Sequence, residues 1–503
     1  MGADKNRILL VTPEITYLPQ GMGNLAHRLM AKAGGLADVS ASLVSTLYEA
    51  GMDVHVALPN YRTMFNRQVG NIISERLEAY RMVLPQDRIH LAEDRCFYYR
   101  DKVYDNYAAQ NMKLSLAFQR EVINNILPRV QPNLIHCNDW MTGLIPAVAR
   151  RLEIPSLFTV HNIHSLRTNL SHMEDQGLDA AQFWPFLYFD RPPENYEETR
   201  ETNPVDFLCS GVFAATAINT VSPTFLTEII SGKHPFVAEP IKREFTRKYH
   251  SGRALGVLNA PAANYHPARD KYIPFQFDSN THFEGKRRNK QLLQKRLGLI
   301  ENPDAPIFFW PSRLDPVQKG CALVAEILVE LVMRYRKEDL QVVFVANGPY
   351  QDEFHNIVDG ADLHNTICVA DFDEGLSRHA YAGSDFVFMP SSFEPCGLPQ
   401  MVGTIYGTLP IAHNTGGLHD TVRHISVGKN QGNGFLFDVH DVAGLRWAAD
   451  QAMQFHRAPL AIKNAQISRI MCESEEEFSQ KVNTRKYMTI YEHLLKAPDL
   501  FPK

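Results

Sequence analysis

The chain has 503 residues, 45% of them hydrophobic, with 51 basic against 56 acidic side chains and a formal net charge of −5. A chain of that length divides into two domains, because a single core stops growing near ~250 to 300 residues. Its evenly mixed charge excludes the basic field that nucleic acid or an anionic membrane surface calls for, so a neutral or small-molecule substrate is the default. The seven cysteines, at 96, 137, 209, 321, 368, 396 and 472, form no C-x-x-C pair. That argues against a disulfide framework or zinc site and fits a reduced, cytoplasmic protein.

The opening "MGADKNRILLVTPE" has an apolar run of four residues before Thr12 and Pro13, too short for a signal peptide or membrane span. Met1-Gly2 begins like a myristoylation signal, but Asn6 stands where Ser or Thr is needed. Apolar runs without polar alternation then predict strands buried on both faces of a parallel sheet, at 8–11, 54–58, 133–137, 156–160, 217–221 and 255–259. After Asn259 the pattern breaks into a Pro-, Asn- and aromatic-rich segment without periodicity, a domain boundary. A second set of six follows, at 307–310, 342–346, 366–370, 385–389, 409–412 and 434–437. Two Rossmann-like α/β units of six strands each are expected, over 1–262 and 263–479. Phe478, Val482, Tyr487, Ile490, Tyr491 and Leu494 form an apolar stripe that predicts a terminal helix over 480–503, returning to the first unit.

Doubly wound sheets bind ligands beyond the carboxyl ends of their strands, so the turns after these runs carry the candidates. "KAGGLADV" places Lys32 before Gly34 and Gly35 at a helix start, where backbone N–H groups can approach an anion or simply follow a long loop. "IHCNDW" and "FTVHNIHS" set His136, Asn138, Asp139, His161, Asn162 and His164 at strand ends, as rim groups or as helix caps and packing. "FFWPSRLDPVQKG" presents Arg313 and Lys319 after a buried strand, either for a diphosphate or as two solvated cations. "SSFEPCGLPQ" puts Glu394 at a strand mouth, with Gly397 suited to close backbone approach. A capping carboxylate is the alternative for Glu394. No Ser-His-Asp, H-E-x-x-H or Walker A pattern occurs, and no G-x-G-x-x-G follows an early strand.

Taken together, "KAGGLADV", "HCNDW", "FTVHNIH", "INTVSPTF", "SRLDPVQKG", "PSSFEPCGLPQ" and "YGTLPIAHNTGGLHDTV" resemble, in order and spacing, glycosyltransferase family 5, the bacterial glycogen synthases and plant starch synthases. The resemblance runs from about residue 8 to 496. It implies the GT-B fold, two Rossmann-like domains facing a central cleft. It also implies retaining transfer of glucose from a nucleotide sugar, ADP-glucose or UDP-glucose, to the non-reducing end of an α-1,4-glucan. Carried over position by position, it assigns His161, Arg313, Lys319 and Glu394 to catalysis. Donor binding falls to Lys32, Gly34, Gly35, Cys396, Gly397, Leu398, Thr415, Gly416 and Gly417, and the acceptor side to Asp139 and Asn162. No metal or other cofactor is implied, and no membrane or nucleic acid.

The sequence departs from the family pattern in several loops. Arg313 and Lys319 are six positions apart instead of five, Pro399 replaces the usual Thr, and Val402 stands where Tyr is common. "HNIHSLRTN" lacks the usual Y-Q-G, and "NAPAANYHP" loses an Asp. A same-fold transferase with a different donor or acceptor, or a non-catalytic glucan- or nucleotide-binding relative, is therefore the alternative reading.

Overall fold

The computed structural model describes residues 6–23, 25–65 and 88–496, so Met1 and Gly2 of the N-terminal signal argument lie outside it, as do 497–503 of the terminal segment. The chain forms two compact units. One comprises Met1–Val221, Leu226–Leu258 and Asn483–Lys503; the other comprises Ser222–Phe225 and Asn259–Val482. The changeovers at 258/259 and 482/483 compare with expected boundaries at 262 and 479.

The first unit is built on β1 (Arg7–Val11), β2 (Asp53–Pro59), β3 (Ile89–Ala92), β4 (Leu134–Asn138), β5 (Ser156–Val160), a short antiparallel pair of β6 (Arg167–Thr168) and β7 (Val205–Asp206), then β8 (Ala217–Thr220) and β9 (Ala254–Gly256). Seven of these strands make one parallel sheet in the order β3-β2-β1-β4-β5-β8-β9. Every residue of β4 and β5 is buried, as their unbroken apolar runs require. The expected count of six is corrected by β3, an edge strand of four residues whose "IHLA" is too short and too close to charged neighbours to announce itself.

The second unit holds β10 (Ile307–Trp310), β11 (Gln341–Val345), β12 (Ile367–Ala370), β13 (Phe386–Met389), β14 (Leu409–His413) and β15 (Phe435–Phe437), parallel in the order β12-β11-β10-β13-β14-β15. Successive side chains of a strand point to opposite faces, and β10 shows the result. Phe308 and Trp310 pack with Val324, Leu328, Leu445 and Ala448. Ile307 and Phe309 pack with Leu293, Tyr381, Val402 and Tyr406 on the other face. Burying each such side chain contributes about 1.5 to 3 kcal/mol, so the two faces together fix this unit.

The helix Gln480–Lys496 buries Tyr487, Ile490, Tyr491 and Leu494, and from Asn483 onward it belongs to the first unit. Tyr491 Oη lies 2.7 Å from His136 Nδ1, and Asn219 Nδ2 donates to Tyr487 Oη at 3.1 Å. Two corrections to the predicted stripe follow. Phe478 closes the preceding helix, Leu460–Glu477, and Val482 is only partly buried. No described helix is long and apolar enough to cross a membrane.

In each sheet the chain reverses direction of winding beside the first strand: β1 lies between β2 and β4, and β10 between β11 and β13. Ligands of open α/β sheets bind beyond the carboxyl ends at such points. The loops that leave β1, β4, β5, β10, β13 and β14 there are the ones carrying the sequence candidates.

Candidate active site

In the second unit the loop after β10 is folded on itself by Asp315, whose Oδ1 accepts from the backbone N–H groups of Val317 and Gln318 at 2.8 and 2.9 Å. It then docks on the loop after β13. Ser392 N donates to Gln318 O at 2.8 Å, and Ser392 Oγ reaches Val317 O at 3.0 Å. The docking delivers Lys319 Nζ to within 2.6 Å of Glu394 Oε2. Glu394 is buried, and Ser391 Oγ donates to the same oxygen at 3.1 Å. Both bonds fall on Oε2, which leaves Oε1 without a protein donor among the described residues. A charge-assisted bond this short holds the carboxylate in one orientation.

Two glycines bring the neighbouring backbone against the main chain of this segment. Gly417 N donates to Glu394 O at 2.9 Å, and a Cβ at Gly417 would stand 2.0 Å from Cys396 O, closer than any side chain tolerates. Gly397 has φ +72°, the left-handed region that favours glycine. Gln400 Nε2 ties the turn together, donating to Cys396 O, Gly397 O and Thr421 Oγ1, each at 3.0 Å. Leu398 caps the helix Pro399–Ile405, whose first residue needs no N–H, so Pro399 fits without loss of a helical bond. Thr415 caps the helix Gly416–Thr421 and is fully buried. Burial pushes the Cys396 thiol up to about 12, which keeps it protonated and unreactive. The Arg313 side chain is exposed and pairs with no carboxylate among the described residues.

In the first unit Glu14, just past β1, is buried, and its Oε2 accepts from Ala33 N at 2.8 Å and Gly34 N at 3.0 Å. Burial raises its pKa, opposed by these two N–H groups and by the Tyr104 hydroxyl. The protein's own carboxylate therefore occupies part of the anion position expected at the start of the helix Gly35–Glu49. Gly34 itself has ordinary extended backbone, and a Cβ there would meet nothing within 4 Å. Lys32 Nζ pairs with Asp38 Oδ2 at 2.7 Å and is otherwise exposed.

Asp139 follows β4 with φ 58° and ψ 177°, a conformation close to glycine-only. It is held there by Asp139 N donating to Thr159 O at 2.9 Å, and by its Oδ1, which accepts from His161 N at 2.7 Å and Asn162 N at 3.3 Å. Burial pushes its carboxyl up to about 7, against those two donors and with a further upward push from Glu14. His161 is pushed down to about 3 by burial and is neutral at pH 7. Asn138 Nδ2 donates to Val11 O at 3.2 Å, which turns Asn138 Oδ1 towards His161 Nε2 at 3.0 Å. His161 Nε2 is therefore the protonated nitrogen, and Nδ1 is left as an acceptor.

The structure thus gathers Lys319, Glu394, Cys396, Gly397, Leu398, Thr415, Gly416 and Gly417 in one unit, and His161, Asp139 and Asn162 in the other. Asn162 is exposed, its Oδ1 accepting from Ile163 N at 2.7 Å. His136 is not a rim residue: it is fully buried, with Nδ1 on Tyr491 and Nε2 on Thr159 Oγ1 at 2.6 Å. Sequence reasoning missed Glu14, Ser391 and Asp315. A carboxylate three residues after a buried strand was the available signal for the first.

A family model described as the starch synthase catalytic domain matches residues 7–240, and one described as glycosyl transferases group 1 matches 294–467. The glycogen synthase of Exiguobacterium sibiricum is 30% identical over 93% of this chain and 97% of its own. That of Cellvibrio japonicus is 30% identical over 92% and 97%. Among solved structures, the catalytic domain of Arabidopsis thaliana starch synthase IV bound to ADP and acarbose superposes with a TM-score of 0.77. It is 24% identical, covering 98% of this chain and all of that one.

Proposed function

The chain belongs to the glycogen and starch synthase family of glycosyltransferases, and on that premise we propose that it moves glucose, with retention, from a nucleotide sugar to the non-reducing end of an α-1,4-glucan. ADP-glucose is the donor this reading favours, in keeping with the ADP named for the Arabidopsis structure. The observation that carries the proposal is the fixed Glu394 carboxylate, with Lys319 and Ser391 on Oε2 and Oε1 left to accept sugar hydroxyls.

In this reading Lys319 keeps its bond to Glu394 and turns its remaining N–H donors to the departing diphosphate, with the exposed Arg313 guanidinium as the second cation. Charge on the leaving oxygens grows in the transition state, so fixed donors there lower the barrier most. The backbone of Cys396–Leu398 and Thr415–Gly417 receives nucleotide and sugar. Lys32, Gly34 and Gly35 serve donor phosphate, with Gly34 offering open backbone. His161 accepts a sugar hydroxyl on Nδ1, and Asp139 holds the backbone of His161 and Asn162 in place on the acceptor side. Transfer goes by front-face displacement, the leaving phosphate taking the acceptor proton, with no covalent protein intermediate. It requires no metal, so chelation with EDTA leaves the rate unchanged.

Radiolabelled ADP-glucose and UDP-glucose, each supplied with and without glycogen or maltooligosaccharide, test the proposal. Glucan-dependent incorporation that α-amylase releases supports it. Incorporation into neither glucan, with nucleotide binding intact, replaces it with the non-catalytic reading or a different acceptor. The rebuilt segment after His161, closed by the β6–β7 antiparallel pair, is where such a difference would originate.

A further inference from the structure

The amino ends of β10, β13 and β14 lie at the opposite edge of the second unit's sheet from Glu394. Strands of four or five residues put that edge roughly 15 Å away. A cavity of about 110 Å³ opens there. Phe386 and Leu409, at the first positions of β13 and β14, line it with Phe283, Phe455, Leu460 and Ile467 from the surrounding helices. A closed apolar cavity of ~150 Å³ holds benzene, so this one suits a small ring or short aliphatic body.

The polar groups of the cavity are unbalanced. Lys286, Arg287, Lys290 and Lys463 line it against two carboxylates, Asp304 and Asp385. Three of the cations are accounted for. Lys290 Nζ lies 2.6 Å from Asp385 Oδ2 and 2.7 Å from Ala305 O, and Arg287 pairs with Asp304. Lys286 Nζ donates to Thr408 Oγ1 at 2.8 Å and Tyr406 O at 3.0 Å. Lys463 has fewer partners: it donates to His456 O at 2.8 Å and, like Lys286, pairs with no carboxylate among the described residues, although it is half-buried. Burial lowers its pKa and that of His456; Asp385 and, more weakly, Asp304 oppose this in both, and Lys290 adds to it.

We propose that this cavity binds a small organic anion, an aromatic or aliphatic body carrying a phosphate or carboxylate that pairs with Lys463. The body lies on the Phe455, Leu460 and Ile467 wall, and the anionic head takes the two N–H donors of Lys463 that no described residue uses. The site stands apart from the transfer chemistry and does not depend on it.

Calorimetric titration of the full chain with phenyl phosphate, benzoate, inorganic phosphate and phenol tests this. Phenyl phosphate or benzoate saturates at millimolar concentration or below, and the tighter of the two identifies the head group. Phenol and inorganic phosphate each bind at least ~10-fold more weakly, since each lacks one half of the recognition. Lys463→Gln weakens the tighter ligand by ~10-fold or more. Leu460→Trp, which fills the mouth and keeps every charge, does the same and carries the test if the first variant fails to fold. Saturation by none of the probes up to ~10 mM, or equal affinity in wild type and both variants, overturns the site. So does binding that Glu394→Ala abolishes while Lys463→Gln leaves it intact.

Discussion

Lys319 and Glu394 form a buried ion pair at 2.6 Å, and the lysine reaches it because Asp315 and Ser392 fold and dock its loop. The six-residue spacing from Arg313 is therefore compatible with a Lys319 that reaches Glu394.

Lys319→Met leaves the Glu394 carboxylate buried with Ser391 as its donor, and a broken buried pair of this kind costs about 3 kcal/mol. The double variant with Glu394→Gln recovers part of that loss, which a urea denaturation cycle measures as coupling. Glu394→Ala and Glu394→Gln each lower turnover by ~10² or more while ADP affinity persists. Normal turnover in a slightly destabilised protein would refute the catalytic assignment.

Two glycine substitutions separate structural from ligand-driven glycine. Gly417→Ala drives a methyl into Cys396 O and destabilises the unit by several kcal/mol, about what forced overpacking costs. Gly34→Ala meets open space and ordinary backbone, so its cost is limited to the roughly 1 kcal/mol by which alanine is a poorer N-cap than glycine. On the proposed donor role of Gly34, the variant's KM for the nucleotide sugar nevertheless rises ~10-fold, the methyl obstructing the approach of donor phosphate beside the Glu14 clasp. An unchanged KM removes Gly34 from the donor site.

Asp139 predicts a pH signature. Its folded pKa of about 7 lies above the ordinary carboxylate value of ~4. Between these values the folded state keeps a proton that the unfolded chain has released, so this group's contribution to stability falls as pH rises from ~4 to ~7 and is level above. Asp139→Asn retains an oxygen for His161 N and Asn162 N but cannot ionise. Relative to wild type it gains about 2 kcal/mol between pH 5 and pH 7 in urea denaturation. A constant difference across that range contradicts the assignment.

Tyr491→Phe removes the partner of His136 Nδ1 in a fully buried position. Unfolding free energy drops by about 1 to 3 kcal/mol, the cost of stranding a buried polar atom. Deleting 480–503 also exposes the apolar groups beneath Tyr487, Ile490 and Leu494, and a stable, fully active monomer after that deletion would show the packing to be dispensable.

The sheets were legible from sequence because strands buried on both faces read as unbroken apolar runs: of the twelve predicted runs in the two sheets two match residue for residue, nine shift by one residue at one or both ends, and the twelfth, 255–259, shifts to Ala254–Gly256, ending three residues early. The strand Ile89–Ala92 was not legible, since an edge position demands little of its four residues. Glu394 and the glycine turns stood out because rigid, small and charged residues at strand mouths are locally unusual. Glu14 and His136 show where local reading fails. The first is a carboxylate whose partners lie 19 and 20 residues later, and the second a histidine whose partner lies 355 residues later. Nothing in their immediate neighbourhood separates a clasp from a cap, or a core histidine from a rim one.

The terminal helix sets an order for synthesis. The hydroxyls that meet His136 and Asn219 belong to Tyr491 and Tyr487, so the unit that begins to leave the ribosome first is completed by residues that emerge only after the whole of the second unit. Domains ordinarily fold from the amino end as they emerge, at ~5 to 20 residues per second. Here the later unit, whose sheet closes at Phe437, can reach its native state while the earlier one still waits for its final helix. A nascent chain stalled before residue 483 carries a finished second unit and an unfinished first one, and a truncated messenger yields a product that chaperones and proteases recognise by its first half.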